Sequence, residues 1–264
     1  MLQIKNVSKT FNPGTVNEKK ALDRLNLHVE EGDFITIIGG NGAGKSTLMN
    51  MVAGVYPIDC GTIYLDGKNI SLQAEYQRAQ MIGRVFQDPM LGTAADMAIQ
   101  ENLAMANRRG KKRGLKWGIT PKEKEIFHEQ LKRLGLGLED RMTSKVGLLS
   151  GGQRQALTLL MATLIKPKLL LLDEHTAALD PRTAKKVLDL TNEIVNEQNL
   201  TTLMVTHNMQ DAIHIGNRLI MMHEGKIIYD VKGEEKKQLK VSDLLKKFEE
   251  ASGEEFANDR MMLG

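Results

Sequence analysis

With Cys60 as its only cysteine, this 264-residue chain cannot form an internal disulfide, which suits a reducing compartment and rules out a disulfide scaffold. No stretch approaches the ~18 to 20 consecutive apolar residues of a transmembrane helix, so any membrane role is expected to run through a partner. Met1 to Lys5 enter strand-like alternation directly, without the pattern of a signal peptide. The sequon triplets beginning at Asn6, Asn69 and Asn199 therefore read as chance. A formal net charge of +3 is too small to imply nucleic acid by itself, and no internal repeat is visible. What remains is an ordinary globular composition, long enough for one large domain or two small ones.

Against that plain background one stretch stands out: Gly39-Gly40-Asn41-Gly42-Ala43-Gly44-Lys45-Ser46-Thr47. It fits the P-loop pattern of a glycine, four free positions and Gly-Lys-Ser. Phe34 to Ile38 before it reads as a buried strand, and Leu48, Met51 and Val52 after it are spaced for a helix. The glycines let successive backbone N–H groups close on phosphate oxygens, and the helix start adds unpaired N–H groups and a positive dipole end. Lys45 is placed to reach the outer phosphates and Ser46 to offer its hydroxyl to Mg²⁺. Thr47 suits a phosphate nearer the sugar.

Upstream, Leu2–Val7 and Ala21–Val29 alternate like half-buried antiparallel strands around the Asn12-Pro13-Gly14 turn. Phe11 suits either stacking on an adenine ring or plain packing at a strand end. Downstream, Thr62–Leu65 and Met81–Phe86 read as strands, and Gln87 either points into the nucleotide site or is a simple turn residue. From about Leu91 to Leu164 the texture becomes helical, with helices predicted at Ala98–Asn107 and Pro121–Leu134, the latter capped by Thr120. The basic run from Arg108 to Arg113, with Lys116 and Trp117, reads as a solvated loop or as a surface for lipid headgroups or an acidic partner. Nucleic acid is the least expected partner, since no binding-module motif accompanies it.

Leu169 to Leu172 is a wholly apolar strand running into Asp173 and Glu174, at the strand end where open α/β sheets place ligands. Asp173 suits Mg²⁺ and Glu174 suits accepting a proton from attacking water. His207 ends the strand Thr201–Thr206, placed to bond the terminal phosphate and orient water. His28, His128, His175, His214 and His223 lack such a setting and read as surface or packing residues. Thr183–Gln198 is an amphipathic helix, and Leu219–Met222 and Lys226–Val231 flank a Glu224-Gly225 turn. Strands alternating with helices imply a parallel sheet. Finally, Leu149-Ser150-Gly151-Gly152-Gln153 places a good N-cap and two glycines at a helix start, a second anion site far from the first in sequence.

Taken together, the P-loop, Gln87, Leu-Ser-Gly-Gly-Gln, Leu172-Asp173-Glu174, Ala178-Leu179-Asp180 and His207 stand in one family's order, and residues 1–231 resemble the ATP-binding subunit of an ABC transporter. The resemblance implies an α/β P-loop NTPase fold with a mostly parallel core sheet, an N-terminal antiparallel β subdomain and an inserted α-helical subdomain. Residues 1–232 would form the ATP-binding domain, with about 91–164 inserted, and 233–264 a C-terminal helix and tail. It implies a head-to-tail homodimer on ATP binding, with Ser150, Gly151, Gly152 and Gln153 of one subunit closing over ATP in the other's P-loop. Phe11 becomes the adenine-stacking aromatic, Gln87 touches Mg²⁺ and senses the permease, and Asp180 lies at the subunit seam. Two positions depart from the pattern: His175 stands where proline usually follows the glutamate, and Gly40 occupies a variable P-loop position.

More narrowly, the chain is similar to importer ATPases that work with a separate permease and an extracytoplasmic solute-binding protein, located at the cytoplasmic face of the membrane. The expected solute is an amino acid such as tryptophan or tyrosine. An exporter ATPase and a soluble ATPase that remodels a cytosolic assembly are the alternatives. A chromosome or repair ATPase is disfavoured, because the roughly 100 residues between P-loop and signature leave no room for a long coiled coil.

Overall fold

The computed structural model describes residues 1–111 and 118–252. Lys112, Arg113, Lys116 and Trp117 of the basic run, and the predicted tail beyond Ser252, lie outside the described residues. In chain order the elements are β1 (Leu2–Phe11), β2 (Lys19–Val29), β3 (Phe34–Gly39), α1 (Lys45–Ala53), β4 (Cys60–Leu65), β5 (Lys68–Asn69), α2 (Glu75–Arg78), β6 (Ile82–Val85), α3 (Ile99–Asn107), α4 (Pro121–Lys132), α5 (Gly151–Thr163), β7 (Leu169–Asp173), α6 (Pro181–Gln198), β8 (Thr202–Val205), α7 (Met209–His214), β9 (Arg218–His223), β10 (Lys226–Lys232), α8 (Glu234–Lys237) and α9 (Val241–Ser252). They divide between two compact units, one of residues 1–78 with the chain from Leu200 onward, the other Ala79–Asn199.

The first unit carries the antiparallel sheet, in the order β2-β1-β4-β5. β1 runs four residues past the predicted Val7, to Phe11. Register shifts between Ile4 and Val7, Val7 and Lys9, and Lys9 and Thr10 break the period-2 alternation that would have marked the longer strand. In the same unit β3 is flanked by β8 and β9, both parallel to it, and β10 closes back antiparallel on β9. The β9–β10 turn has Glu224 and Gly225 both at positive φ, 46° and 75°, the geometry of a tight hairpin turn. Over this framework Ile38, Met209, Ala212, Leu219, Met221, Val231, Leu244 and Phe248 form one apolar cluster. Helix α9 is thereby packed into the first unit through Leu244 and Phe248, which are 0% and 3% exposed.

The second unit pairs β6 and β7 in parallel, with Ile82 opposite Leu169 and Val85 opposite Leu172. Its helices bury Ile99, Leu103, Phe127, Leu131, Ala156, Leu157 and Leu160 in a single cluster. Thr120 caps α4 in a reciprocal box with Glu123, and Pro121 opens the helix. Helix α6 begins two residues before the predicted Thr183, at Pro181, because Asp180 caps it by accepting from the Thr183 amide at 3.1 Å.

Of the basic run's described residues, Lys111 is exposed and Arg108 and Arg109 are half-buried. Arg108 bonds the Ala104 carbonyl at 2.7 Å and pairs with Glu123 at 3.2 Å, and it also donates to the Gly118 carbonyl. Arg109 donates to the Ile165 carbonyl, and burial pulls its guanidinium below the ordinary arginine value. Both arginines thus bond backbone carbonyls while staying partly exposed, as a long side chain with several donors allows.

Candidate nucleotide-binding and catalytic site

In the first unit the P-loop leaves the end of β3. Gly39, Gly42 and Gly44 hold φ of 151°, 82° and 101°, and a Cβ at Gly39 would lie 2.2 Å from the Met222 carbonyl oxygen. Glycine is required here by close backbone approach, the condition that lets the loop wrap an anion. Lys45 is 5% exposed, and its Nζ donates to the carbonyls of Gly39 at 2.8 Å and Gly40 at 3.2 Å. An ammonium drawn over the loop's own carbonyls is held where an incoming phosphate needs it.

Helix α1 has Gly44 at its cap, no side-chain cap bond and no acidic residue in its first turn, so its amides and dipole face the loop unopposed. Asn41 and Ser46 are exposed, Ala43 is buried and Thr47 is half-buried. Phe11 is half-buried and meets Tyr56 edge to face, with ring centroids 5.3 Å apart, while Lys9 Nζ lies over its ring at 5.8 Å from the centroid. His207 follows β8, whose Val205 pairs with Ile37, and Thr206 N–H donates to the Ile37 carbonyl at 3.2 Å. His207 therefore leaves its strand at the same end, and at the same level, as the P-loop leaves β3. A Cβ at Gly40 would make only ordinary contact, 3.5 Å from the Phe248 ring.

The second unit holds Gln87, Ser150 to Gln153, Asp173, Glu174 and Asp180. Gln87 is exposed in the bend after β6. Asp173 closes β7, and Glu174 follows with φ of 46°, an uncommon conformation for a residue with a Cβ. Strained backbone of this kind gathers at functional positions, where the surrounding fold sustains it. His175 is buried behind it, its Nε2 3.0 Å from Thr191 Oγ1, and is a packing residue.

Ser150 and Gln153 form a reciprocal cap at the start of α5. Ser150 Oγ accepts from the Gln153 amide at 3.3 Å, and Gln153 Oε1 accepts from the Ser150 amide at 3.2 Å. That leaves Gly151 and Gly152 to supply the amides of the first turn. The two glycines differ. Gly151 is exposed, whereas Gly152 is buried against α6, and a Cβ there would fall 2.1 Å from the Thr183 methyl. The signature glycines and the Asp180 cap thus form one packed corner. Hydrogen bonds to Thr183 hold the Asp180 carboxyl below its ordinary value.

Sequence reasoning passed over two side chains that this unit places beside the motifs, Arg84 and Gln155. Arg84 lies 3.6 Å from Asp173 and stacks 4.5 Å from the Phe86 ring centroid. Gln155 donates to the Phe86 carbonyl at 3.1 Å. A charge inside the otherwise apolar run Met81–Phe86 was the available signal.

Among the described residues no group of three or more His, Cys, Asp or Glu could hold a metal ion. The exposed Ser46 hydroxyl of the first unit and the Asp173 carboxylate of the second are each, taken singly, an oxygen donor of the kind Mg²⁺ accepts, and Mg²⁺ usually keeps several waters rather than needing an all-protein cage.

A glycine cradle with its lysine, a strand-end carboxylate pair and a Ser-Gly-Gly helix cap define a P-loop ATPase of the cassette type. The ABC transporter family profile matches residues 22–177, and the chain belongs to that family. It is 49% identical over 252 residues to the tyrosine transport ATP-binding protein of Clostridioides difficile, covering 95% of this chain and 100% of that one. With a choline transport ATP-binding protein of Bacillus subtilis it shares 35% identity over 86% of this chain and 56% of the relative. Among solved structures, a dimeric ATP-binding cassette in a post-hydrolysis state with ADP and Pi superposes with a TM-score of 0.75 at 30% identity, covering 88% of this chain and 98% of the other. The ADP conformation of another ABC transporter cassette gives 0.76 at 30% identity, covering 96% and 99%. The chain is an ABC ATPase that binds nucleotide and powers transport. No helix among the described residues is long and apolar enough to cross a membrane.

Proposed function

We propose that this protein is the ATP-hydrolysing subunit of an importer for an aromatic amino acid, tyrosine or a close analogue, working through a separate permease at the cytoplasmic face of the membrane. The observation that carries this reading is the 49% identity, across the full length of the relative, to a tyrosine transport ATP-binding protein. An extracytoplasmic solute-binding protein would deliver the solute. Residues 1–232 act as the ATPase domain, with the 91–164 stretch as its helical part.

In this reading Phe11 stacks on adenine, and the amides of Gly39 to Thr47 and the Lys45 ammonium hold the phosphates. Ser46, Gln87 and Asp173 hold Mg²⁺, which when bound neutralises phosphate charge. Glu174 accepts the proton of the attacking water, and His207 orients that water beside the terminal phosphate. Two copies associate head to tail, each offering Ser150, Gly151, Gly152 and Gln153 to the other's nucleotide, with Asp180 at the seam. ATP then acts as part of the interface, and loss of its terminal phosphate reopens the pair.

Glu174→Gln should retain ATP and slow hydrolysis by roughly 10²- to 10⁴-fold, the range for a lost general base. The tagged variant, loaded with ATP and Mg²⁺ in native membranes, should co-purify with a polytopic permease. The companion binding protein should then take up tyrosine or tryptophan. Co-purification with soluble proteins alone would overturn the transport assignment, and near-normal turnover would overturn the role of Glu174.

A further inference from the structure

Arg84 occupies the third position of β6, an otherwise apolar strand. It pairs with Leu171 across the parallel ladder, so Asp173, two residues on, projects from the same face of the pair. Phe86, two residues on along Arg84's own chain, shares that parity. A long guanidinium side chain spans such a diagonal, and its Nη2 lies 3.6 Å from Asp173 Oδ2. The same side chain lies over the Phe86 ring at 4.5 Å.

Both charged groups are largely withdrawn from water, Arg84 12% and Asp173 15% exposed at the side chain, so their attraction is only weakly screened. From the other direction Gln155 of α5 holds the Phe86 carbonyl at 3.1 Å, and its own Oε1 is buried without a partner among the described residues. Phe86 is the residue immediately before Gln87. A metal-side carboxylate, the lead-in to Gln87 and the helix that starts at the Ser-Gly-Gly cap are therefore tied together through one arginine and one glutamine.

We propose that Arg84 is a positioning residue for the ATPase reaction: it holds Asp173 as a built-in counter-charge that Mg²⁺ must work against, and so sets the Mg²⁺ concentration at which nucleotide binds tightly. The proposal rests on the metal role of Asp173 in the reading above. A fixed cation beside a carboxylate stabilises it, yet repels a dication approaching the same oxygens. The interaction with Phe86 ties that exchange to the position of Gln87.

The test is a Mg²⁺ titration of fluorescent ATP-analogue binding, with a matched measurement in EDTA and a thermal melt for each protein. Arg84→Met should lower the Mg²⁺ concentration for half-maximal binding by about tenfold, the scale of a like-charge interaction in a partly buried site, while affinity in EDTA stays unchanged. Arg84→Lys, which keeps the charge, should stay within about twofold of the parent. Arg84→Gln serves as the neutral variant if the methionine protein does not fold. Asp173→Asn should weaken the Mg²⁺ response, and in its background the Arg84→Met effect should vanish, as coupled residues require. Parent-like Mg²⁺ titrations for the neutral variants, with Asp173→Asn still altered, would overturn the counter-charge role alone. A Mg²⁺ response untouched by Asp173→Asn would overturn the metal assignment, and the proposal with it.

Discussion

Replacing His175 tests whether packing governs the segment behind Glu174. The imidazole is 2% exposed, and its Nε2 is 3.0 Å from Thr191 Oγ1. That hydroxyl already donates to the Val187 carbonyl at 2.7 Å, so it has only lone pairs to offer the ring. Nε2 therefore carries the proton and Nδ1 does not, an assignment made from the hydrogen-bond network. Burial pushes the imidazole from its ordinary 6.5 down to about 4.

With the folded value below the unfolded one, the unfolded chain takes up this proton first as pH falls. Stability held by the neutral ring is complete above pH 6.5 and is lost on the way down to about 4, at up to about 1.4 kcal/mol per pH unit. Between about pH 7.5 and about pH 4.5 that one residue removes about 2 to 3 kcal/mol. His175→Leu cannot titrate. Near neutrality it should be less stable than the parent by about 1 kcal/mol, the worth of the lost hydrogen bond. Near pH 4.5 the order should reverse, the variant being more stable by about 1 to 2 kcal/mol. Urea unfolding at both pH values reads this directly. Parent and variant stabilities falling in parallel with pH would refute the linkage.

Three further outcomes follow from the same geometry. Gly39→Ala forces a Cβ to 2.2 Å from the Met222 carbonyl oxygen and should cost about 3 kcal/mol or more in a melt. Gly14→Ala also sits at positive φ but has nothing within 4 Å, and it should cost only about 1 kcal/mol. Ser150→Ala removes one capping bond and should lower stability by about 1 kcal/mol. In the Glu174→Gln background it should also abolish ATP-dependent dimer formation in size-exclusion chromatography, an effect beyond its stability cost.

The P-loop, the strand-end carboxylates and the signature cap were legible because each is local. Their chemistry depends on residue types at fixed spacing along a few consecutive positions, such as Gly39 to Thr47 or Leu172 to Glu174. The α/β class was legible for a similar reason, since apolar runs such as Phe34 to Ile38 and Leu169 to Leu172 mark buried strands without reference to their neighbours. Only the tertiary structure decided the rest. Bulges in β1 erased the alternation that would have revealed its last four residues. Folding gave Arg108 and Arg109 backbone carbonyls to bond, on Ala104 and Ile165. Gly152 owes its lack of a side chain to Thr183, which lies on another helix. Arg84 meets Asp173 only because β6 and β7 pair in one particular register. These are contacts between residues remote in sequence, and spacing along the chain carries no record of them.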